Sequence, residues 1–413
     1  MDQAQLFAGT AVADITPPLE VGLLTSSVNG LYEPFELVRL PLKARILVLK
    51  SGAEMVALVS VDLLALNDTS VNGWDRFKAG MSGIVSPDNI ILTCTHTHNA
   101  PESVALSGLY LTDAYQNWLS KVQSIIKQAI SDAFYAIKAC MLSLAYNKLN
   151  DYSMQRRIKT PDGIVMSDSI QPIDSELFNL EPVDRRVKIM YFNDEKGNGI
   201  AAVVQATCHP VHEMCMKHVS SEFPGEMCRE LELSPKIGMP LFLNGAAGDI
   251  NPPTVSMGPS YAHDHGLALA SLVRQNQHKD DVDTLAFGTL HSSIQFPVRA
   301  GSGVTNKLDA MARFSVVRIG SLAIVFLPGE PFIETALHIE IHSPFANTIV
   351  AGYGENNIGY IPTAKALKEG GYEAGPGKWS FMEEGADRLI CTEALRLLNK
   401  LFNQNKSLKT KRE

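Results

Sequence analysis

The chain has 413 residues, is 45% hydrophobic and 19% charged, and carries a formal net charge of −8. This is the composition of an ordinary globular protein with ample apolar residues for a large core, and its acidic balance lacks the clustered Lys and Arg on which nucleic-acid binding rests. No apolar run is long enough to span a bilayer, and Met1 to Gln5 offers neither the basic nor the apolar region of a signal peptide.

These features predict a protein with a small-molecule substrate, no nucleic-acid partner, no integral membrane segment and a cytoplasmic location; nothing in the sequence speaks to oligomeric state. Cysteines at positions 94, 140, 208, 215, 228 and 391 form no C-x-x-C pair. Several lie in apolar stretches, where Cys acts as a small buried hydrophobe, and a reducing compartment follows.

In chain order, Ala44–Leu49 and Met55–Val61 are apolar, partly β-branched runs separated by the turn Lys50–Glu54. Asn89–Cys94 is a third such run, suited to a strand buried on both faces. From Ala114 to Ala139 the apolar residues fall at helical spacing, with Asp113 as a natural N-cap. Strands are predicted at Met141–Tyr146, Arg186–Phe192, Ile200–Thr207, Leu241–Leu243, Phe314–Val317, Leu322–Phe326 and Thr348–Val350, and a last helix over Glu383–Phe402. The alternation predicts an α/β fold of mixed β-sheet layers flanked by helices. It also predicts one domain over residues 1–403, followed by a flexible basic tail at 404–413.

Four segments carry candidate chemistry. Thr95-His96-Thr97-His98 leaves the third apolar strand, and in extended backbone residues two apart project to the same side. Thr207-Cys208-His209-Pro210 leaves another strand, and Pro210 biases His209 toward extended geometry. Two histidine groups, each at a strand exit, point to a metal site. Imidazole and carboxylate ligands suit Zn2+, with an open position for water in a catalytic site. Gly245 to Pro253 is rich in small residues that let backbone approach a ligand closely or present N–H groups to an oxyanion. Leu327-Pro328-Gly329-Glu330-Pro331 ends a strand and displays a lone carboxylate. His263-Asp264-His265 lies in a helical stretch, where residues two apart face different ways, and reads as a surface feature or a neighbour of the ligands. The glycines and aromatics of Lys365–Trp379 suggest a lid.

Together these pieces resemble the neutral ceramidase family of zinc-dependent amide hydrolases. Ala8-Gly9-Thr10-Ala11-Val12-Ala13-Asp14-Ile15-Thr16-Pro17-Pro18 is similar to its opening, Ser60-Val61-Asp62-Leu63 follows its pattern, Thr95–His98 is similar to its signature, and Gly245–Pro252 to its glycine-rich segment. The resemblance implies a zinc held by His96, His209, Glu330 and Tyr360, with Tyr353 as the competing tyrosine, and His98 contacting the substrate. It also implies an N-terminal catalytic domain without the family's further C-terminal one. Asp14, Asp62 and Asp249 are candidates to orient the histidines, and Asp249 and Asn251 are candidate catalytic residues. Asn251 stands where the family has a serine, which implies an amide substrate other than ceramide, such as a smaller N-acyl amino sugar. An ester, lactone or sugar bond is the alternative substrate, and a non-catalytic binding protein the alternative role.

Overall fold

A computed structural model describes residues 5–24, 32–214, 216–275, 279–284 and 286–404. Cys215 and residues 405–413 of the expected tail lie outside the described residues. The strands that build the two large sheets are β1 (Leu6–Asp14), β2 (Lys43–Ser51), β3 (Glu54–Val61), β4 (Ile90–Cys94), β5 (Lys138–Ala139), β6 (Met141–Lys148), β7 (Arg186–Asn193), β8 (Gly199–Ala206), β9 (Met239–Asn244), β10 (Asp280–Val282), β11 (Phe287–Gln295), β12 (Met311–Ile319), β13 (Leu322–Pro328) and β14 (Asn347–Gly354). The principal helices are α1 (Trp74–Met81), α2 (Asp113–Tyr135), α3 (Glu222–Glu232), α4 (Pro259–Gln275), α5 (Ile333–His342) and α6 (Ala386–Gln404).

The larger sheet runs β11-β12-β13-β14-β4-β3-β2-β1-β5 and the smaller β9-β8-β7-β6-β10. Both are mixed: β3 with β4, β13 with β14 and β8 with β9 are parallel, while tight turns make β2/β3 and β7/β8 antiparallel.

The layering follows from the two-residue period of a strand. Ile46, Val48, Val59 and Val61 face α2, packing with Trp118, Val122 and Ile126. Their sequence neighbours Leu47, Leu49 and Leu58 point the other way, onto Leu142, Met190, Val203 and Leu241 of the second sheet. The far face of that sheet buries Ile189, Val204 and Phe242 against Phe223 and Leu231 of α3 and Leu269 of α4. The order is helices, sheet, sheet, helices. Strands covered on both sides must be apolar throughout, which is why they appear in the sequence as unbroken hydrophobic runs. Helix α2 lies so close to β1 that a Cβ on Gly9 would meet the Ala133 carbonyl oxygen at 2.1 Å.

Several boundaries differ from the sequence-based expectation. The N-cap of α2 is Thr112, whose hydroxyl accepts from the Tyr115 N–H (3.3 Å), rather than Asp113. The helix stops at Tyr135 because Lys138 and Ala139 leave it to pair with Ala8 and Phe7. Strand β11 has no clear signature in the sequence because this half-buried edge strand carries His, Ser and Gln without a clean alternation. Among the described residues, five cysteines are free thiols, four of them buried. No helix among the described residues is long and apolar enough to cross a membrane.

Candidate metal centre

The candidate residues gather beyond the carboxyl ends of β4, β8 and β13, the usual place for ligands in α/β sheets. His96 lies two residues past β4, His209 three past β8 and Glu330 two past β13. A Glu330 carboxylate oxygen sits 3.2 Å from Nε2 of His96 and 3.3 Å from Nε2 of His209. The nitrogens of His96, His98 and His209 lie within 4.8 Å of one another.

The far side of each ring fixes its tautomer. Nδ1–H of His96 donates to the Leu64 carbonyl (2.7 Å), and Nδ1–H of His209 to the Ile250 carbonyl (3.1 Å). Both Nε2 lone pairs are thereby aimed at Glu330. Burial pushes His209 down to about 4, with the Arg156 charge adding to it, so its imidazole is neutral.

The donor set fits a zinc ion. Nε2 of His96, Nε2 of His98 and Oε2 of Glu330 are buried without a hydrogen-bond partner, which is costly unless something else binds them. Zinc bonds of ~2.0–2.1 Å in tetrahedral geometry separate neighbouring donor atoms by roughly 3.3 Å, the spacing found between Glu330 and the two histidines.

The third histidine and the two tyrosines complete the surroundings. His98 borders the cavity in front of the cluster, its ring 5.0 Å from that of His96, and burial holds it well below the ordinary histidine range. Tyr360 Oη lies 3.5 Å from Nε2 of His209, and Glu330 and Tyr360 are direct strand partners. Tyr353 stacks on His96 at 4.1 Å, with its hydroxyl buried and unpartnered.

The sequence logic for His96 and His98 needs one correction. His96 has φ +72° rather than extended backbone, so the period of two is not what brings the rings together. A non-glycine residue in this left-handed region is strained and clusters at functional sites. Here the strain is held by His96 N–H donating to the Leu63 carbonyl (3.0 Å) and His98 N–H to that of Pro210 (3.3 Å).

None of the three aspartates orients a histidine ring; the carbonyls of Leu64 and Ile250 do. Asp14 is exposed and pairs with Lys43 (2.6 Å). Asp62 accepts from the Lys43 N–H (2.9 Å) and faces Arg45 (3.5 Å), and burial pushes it up to about 6. Asp249 accepts from Ile333 N–H (2.8 Å) and Gln155 Nε2 (3.0 Å), and burial pushes it up to about 7. Asn251 is buried and pairs in register with Met154; its Nδ2 lies 3.5 Å from Ser167 Oγ. His265 is neither a surface feature nor a neighbour of the ligands. It is buried between the rings of Phe223 (3.9 Å) and Tyr152 (4.4 Å) and bonds His212 (3.1 Å).

The glycine-rich segment approaches protein backbone rather than presenting a loop to a ligand. A Cβ on Gly248 would meet the Glu330 carbonyl oxygen at 2.5 Å. Gly248 N–H donates to the Pro331 carbonyl (2.9 Å), and the Asp249 carbonyl accepts from Arg156 N–H (2.9 Å).

Arg156 was not legible in the sequence. Its guanidinium lies 3.3 Å from His209 Nε2 and over the Tyr360 ring (5.1 Å), and donates to the buried Glu373 (2.6 Å). Glu373 belongs to the segment expected to form a lid, and it also accepts from Arg157 (2.6 Å). Tyr372, Lys378 and Trp379 of that segment line the cavity. It is a wall tied down by two arginines.

No family model matches the sequence, and no curated protein matches it either. Solved structures do. The neutral ceramidase from Pseudomonas aeruginosa superposes with a TM-score of 0.75 at 16% identity, covering 96% of this chain and 74% of that one. A ceramidase complexed with C2 gives 0.77 at 16% identity, covering 97% and 76%. At that identity the likeness is one of architecture: this chain has a neutral ceramidase-like fold.

Proposed function

We propose that the chain is a zinc-dependent hydrolase cleaving the C–N bond of an amide other than ceramide, with residues 1–403 acting as one catalytic unit. One observation carries the reading: the buried Nε2 atoms of His96 and His209 converge on one Glu330 carboxylate oxygen at 3.2 and 3.3 Å, and that oxygen and the His96 nitrogen have no hydrogen-bond partner. The fold shared with neutral ceramidases supports it. A reducing, cytoplasmic setting accords with the free thiols.

His96, His209 and Glu330 would hold the ion, with Tyr360 as fourth ligand. When bound, zinc supplies a Lewis acid and a water that ionises near pH 7. The rest falls to the chain. His98, neutral and facing the cavity, hydrogen-bonds the substrate carbonyl oxygen as negative charge develops on it. Burial pushes the Tyr360 hydroxyl well above its ordinary range, and the adjacent Arg156 charge works against that rise. Asp249 acts through the Ile333 backbone it holds, and Asn251 through its side chain beside Ser167.

Metal analysis of the purified protein tests this. About one zinc per chain is expected in the wild type, with loss of zinc from His96→Ala and His209→Ala while circular dichroism stays unchanged. Zinc retained by both variants would remove the assignment.

A further inference from the structure

The cavity in front of the candidate metal centre has a volume of about 290 Å³, near the lower end of the ~300–1,000 Å³ usual for small-molecule sites. Its walls differ in character. One is apolar, with Leu64, Val104 and Leu106. Opposite chemistry comes from Thr69, Asn306 and Asp309, which line the same space.

This polar wall is built before any ligand arrives. Thr69 N–H and Oγ1–H donate to the two Asp309 oxygens at 2.9 and 2.7 Å. Asn306 Nδ2 donates to Asp68 (3.0 Å) and to Thr69 Oγ1 (2.9 Å). Asn356 Nδ2 ties the loop down through the Leu308 carbonyl (3.0 Å). An ionised carboxylate has about four acceptor positions, and Thr69 uses two. The Asp309 carboxylate keeps acceptor capacity on the cavity side, and its ordering needs no ligand cation.

Two further observations narrow the ligand. Asp309, Glu102 and Glu330 give this space three acidic side chains against the single lysine, Lys378, which disfavours an anionic ligand. Tyr372 and Trp379 line it as a parallel stacked pair with centroids 5.6 Å apart. Hydroxyl acceptors and an aromatic surface lining one cavity match a sugar ring, which has polar edges and C–H faces.

We propose that this cavity selects a compact, uncharged, polyhydroxylated amide of the N-acylated amino-sugar type, and that Thr69, Asn306 and Asp309 form the wall that reads its hydroxyl groups. The proposal deepens the amide-hydrolase reading and rests on it for the scissile bond alone. A site whose polar groups expect partners discriminates strongly against an analogue that lacks them, whereas an apolar pocket discriminates weakly.

Binding to the full chain, with and without zinc, is measured by saturation-transfer NMR and tryptophan fluorescence. The probes are N-acetylglucosamine, N-cyclohexylacetamide (the same acetamide on a ring without hydroxyls) and N-acetylglycine as the anionic amide. N-acetylglucosamine should bind at least ~10-fold more tightly than either. Asp309→Asn, which retains an acceptor for the Thr69 N–H, should collapse its preference over N-cyclohexylacetamide to within about twofold. Trp379→Leu, in the aromatic part of the lining, should weaken the sugar and lower that ratio less severely; it serves as the second variant should Asp309→Asn unfold. Tighter binding of N-cyclohexylacetamide or N-acetylglycine, no binding of any probe, or an unchanged preference in both variants would overturn the proposal. Sugar selectivity without zinc or turnover would leave the polyol wall standing and remove the hydrolase reading; zinc-dependent amide cleavage with an apolar preference would do the reverse.

Discussion

Arg156 Nε donates to a Glu373 oxygen across 2.6 Å, and both side chains are buried. The pair joins the floor of the candidate metal centre to the wall of the cavity. Removing Glu373 would leave Arg156 and Arg157 without their shared carboxylate in the interior. Breaking such a pair from one side costs about 3–5 kcal/mol. Glu373→Ala should therefore lower the unfolding free energy measured in urea by that amount, and Glu373→Gln by less. A loss below about 1 kcal/mol in the alanine variant would show that solvent reaches the arginines.

Gly248 has no room for a side chain, since its Cβ would collide with the carbonyl oxygen of Glu330. Gly248→Ala must push the Glu330 turn away from His96 and His209. Overpacking of this kind costs about 1–3 kcal/mol, and here zinc affinity should fall with it. Calorimetric zinc titration beside denaturant unfolding checks both; an unchanged affinity would mean that the turn yields elsewhere.

The two tyrosines should separate cleanly. Tyr360→Phe is expected to weaken zinc binding at least ~10-fold, because its hydroxyl faces His209 Nε2. Tyr353→Phe should leave zinc binding intact. It should also stabilise the metal-free protein by up to about 1 kcal/mol, by removing a buried hydroxyl without a partner. The opposite pattern would transfer the ligand role to Tyr353.

Glu222 supplies a pH dependence remote from the ligands. Burial pushes its carboxyl up to about 8, and the neighbouring Glu213 charge adds to the rise. The folded state therefore holds this proton more tightly than the unfolded chain. Its contribution to stability is full below about pH 4.5 and is lost as pH rises through about 8. Glu222→Gln keeps the shape and removes the titration. The variant should gain on the wild type in urea midpoint as pH is raised from about 5 to about 8.5; a constant gap would place Glu222 as ionised throughout.

How much of this was legible in the sequence depends on what each feature requires. The strands that deliver His96 and His209 are buried on both faces, so their apolar runs are conspicuous, and a histidine at the exit of each stands out. Glu330 was reachable through family resemblance, because a single carboxylate after a turn has no distinguishing neighbours. The histidine-orienting groups were missed for a simpler reason. The carbonyls of Leu64 and Ile250 belong to every residue type, and no side chain announces them. Arg156 follows a two-residue strand, Met154–Gln155, paired only with the distant Ile250–Asn251, and no local pattern encodes such a pairing. The end of α2 was misplaced because β1 recruits Lys138 and Ala139 away from a helical periodicity that would otherwise continue.

The segment Gly248–Ile250 holds Pro331 by one backbone bond, Ile333 through the Asp249 side chain, Arg156 through the Asp249 carbonyl, and both the backbone and the ring of His209 through the Ile250 carbonyl. Three residues thus anchor separate parts of the reactive half of the molecule, and a change in any one of them is felt by the others. The polar wall at Thr69, Asn306 and Asp309 hangs on its own bonds to Asp68 and Asn356. The architecture therefore divides into a brittle part, where one change is transmitted to several others, and a separately anchored part, where a change at the polar wall need not disturb the cluster of His96, His209 and Glu330.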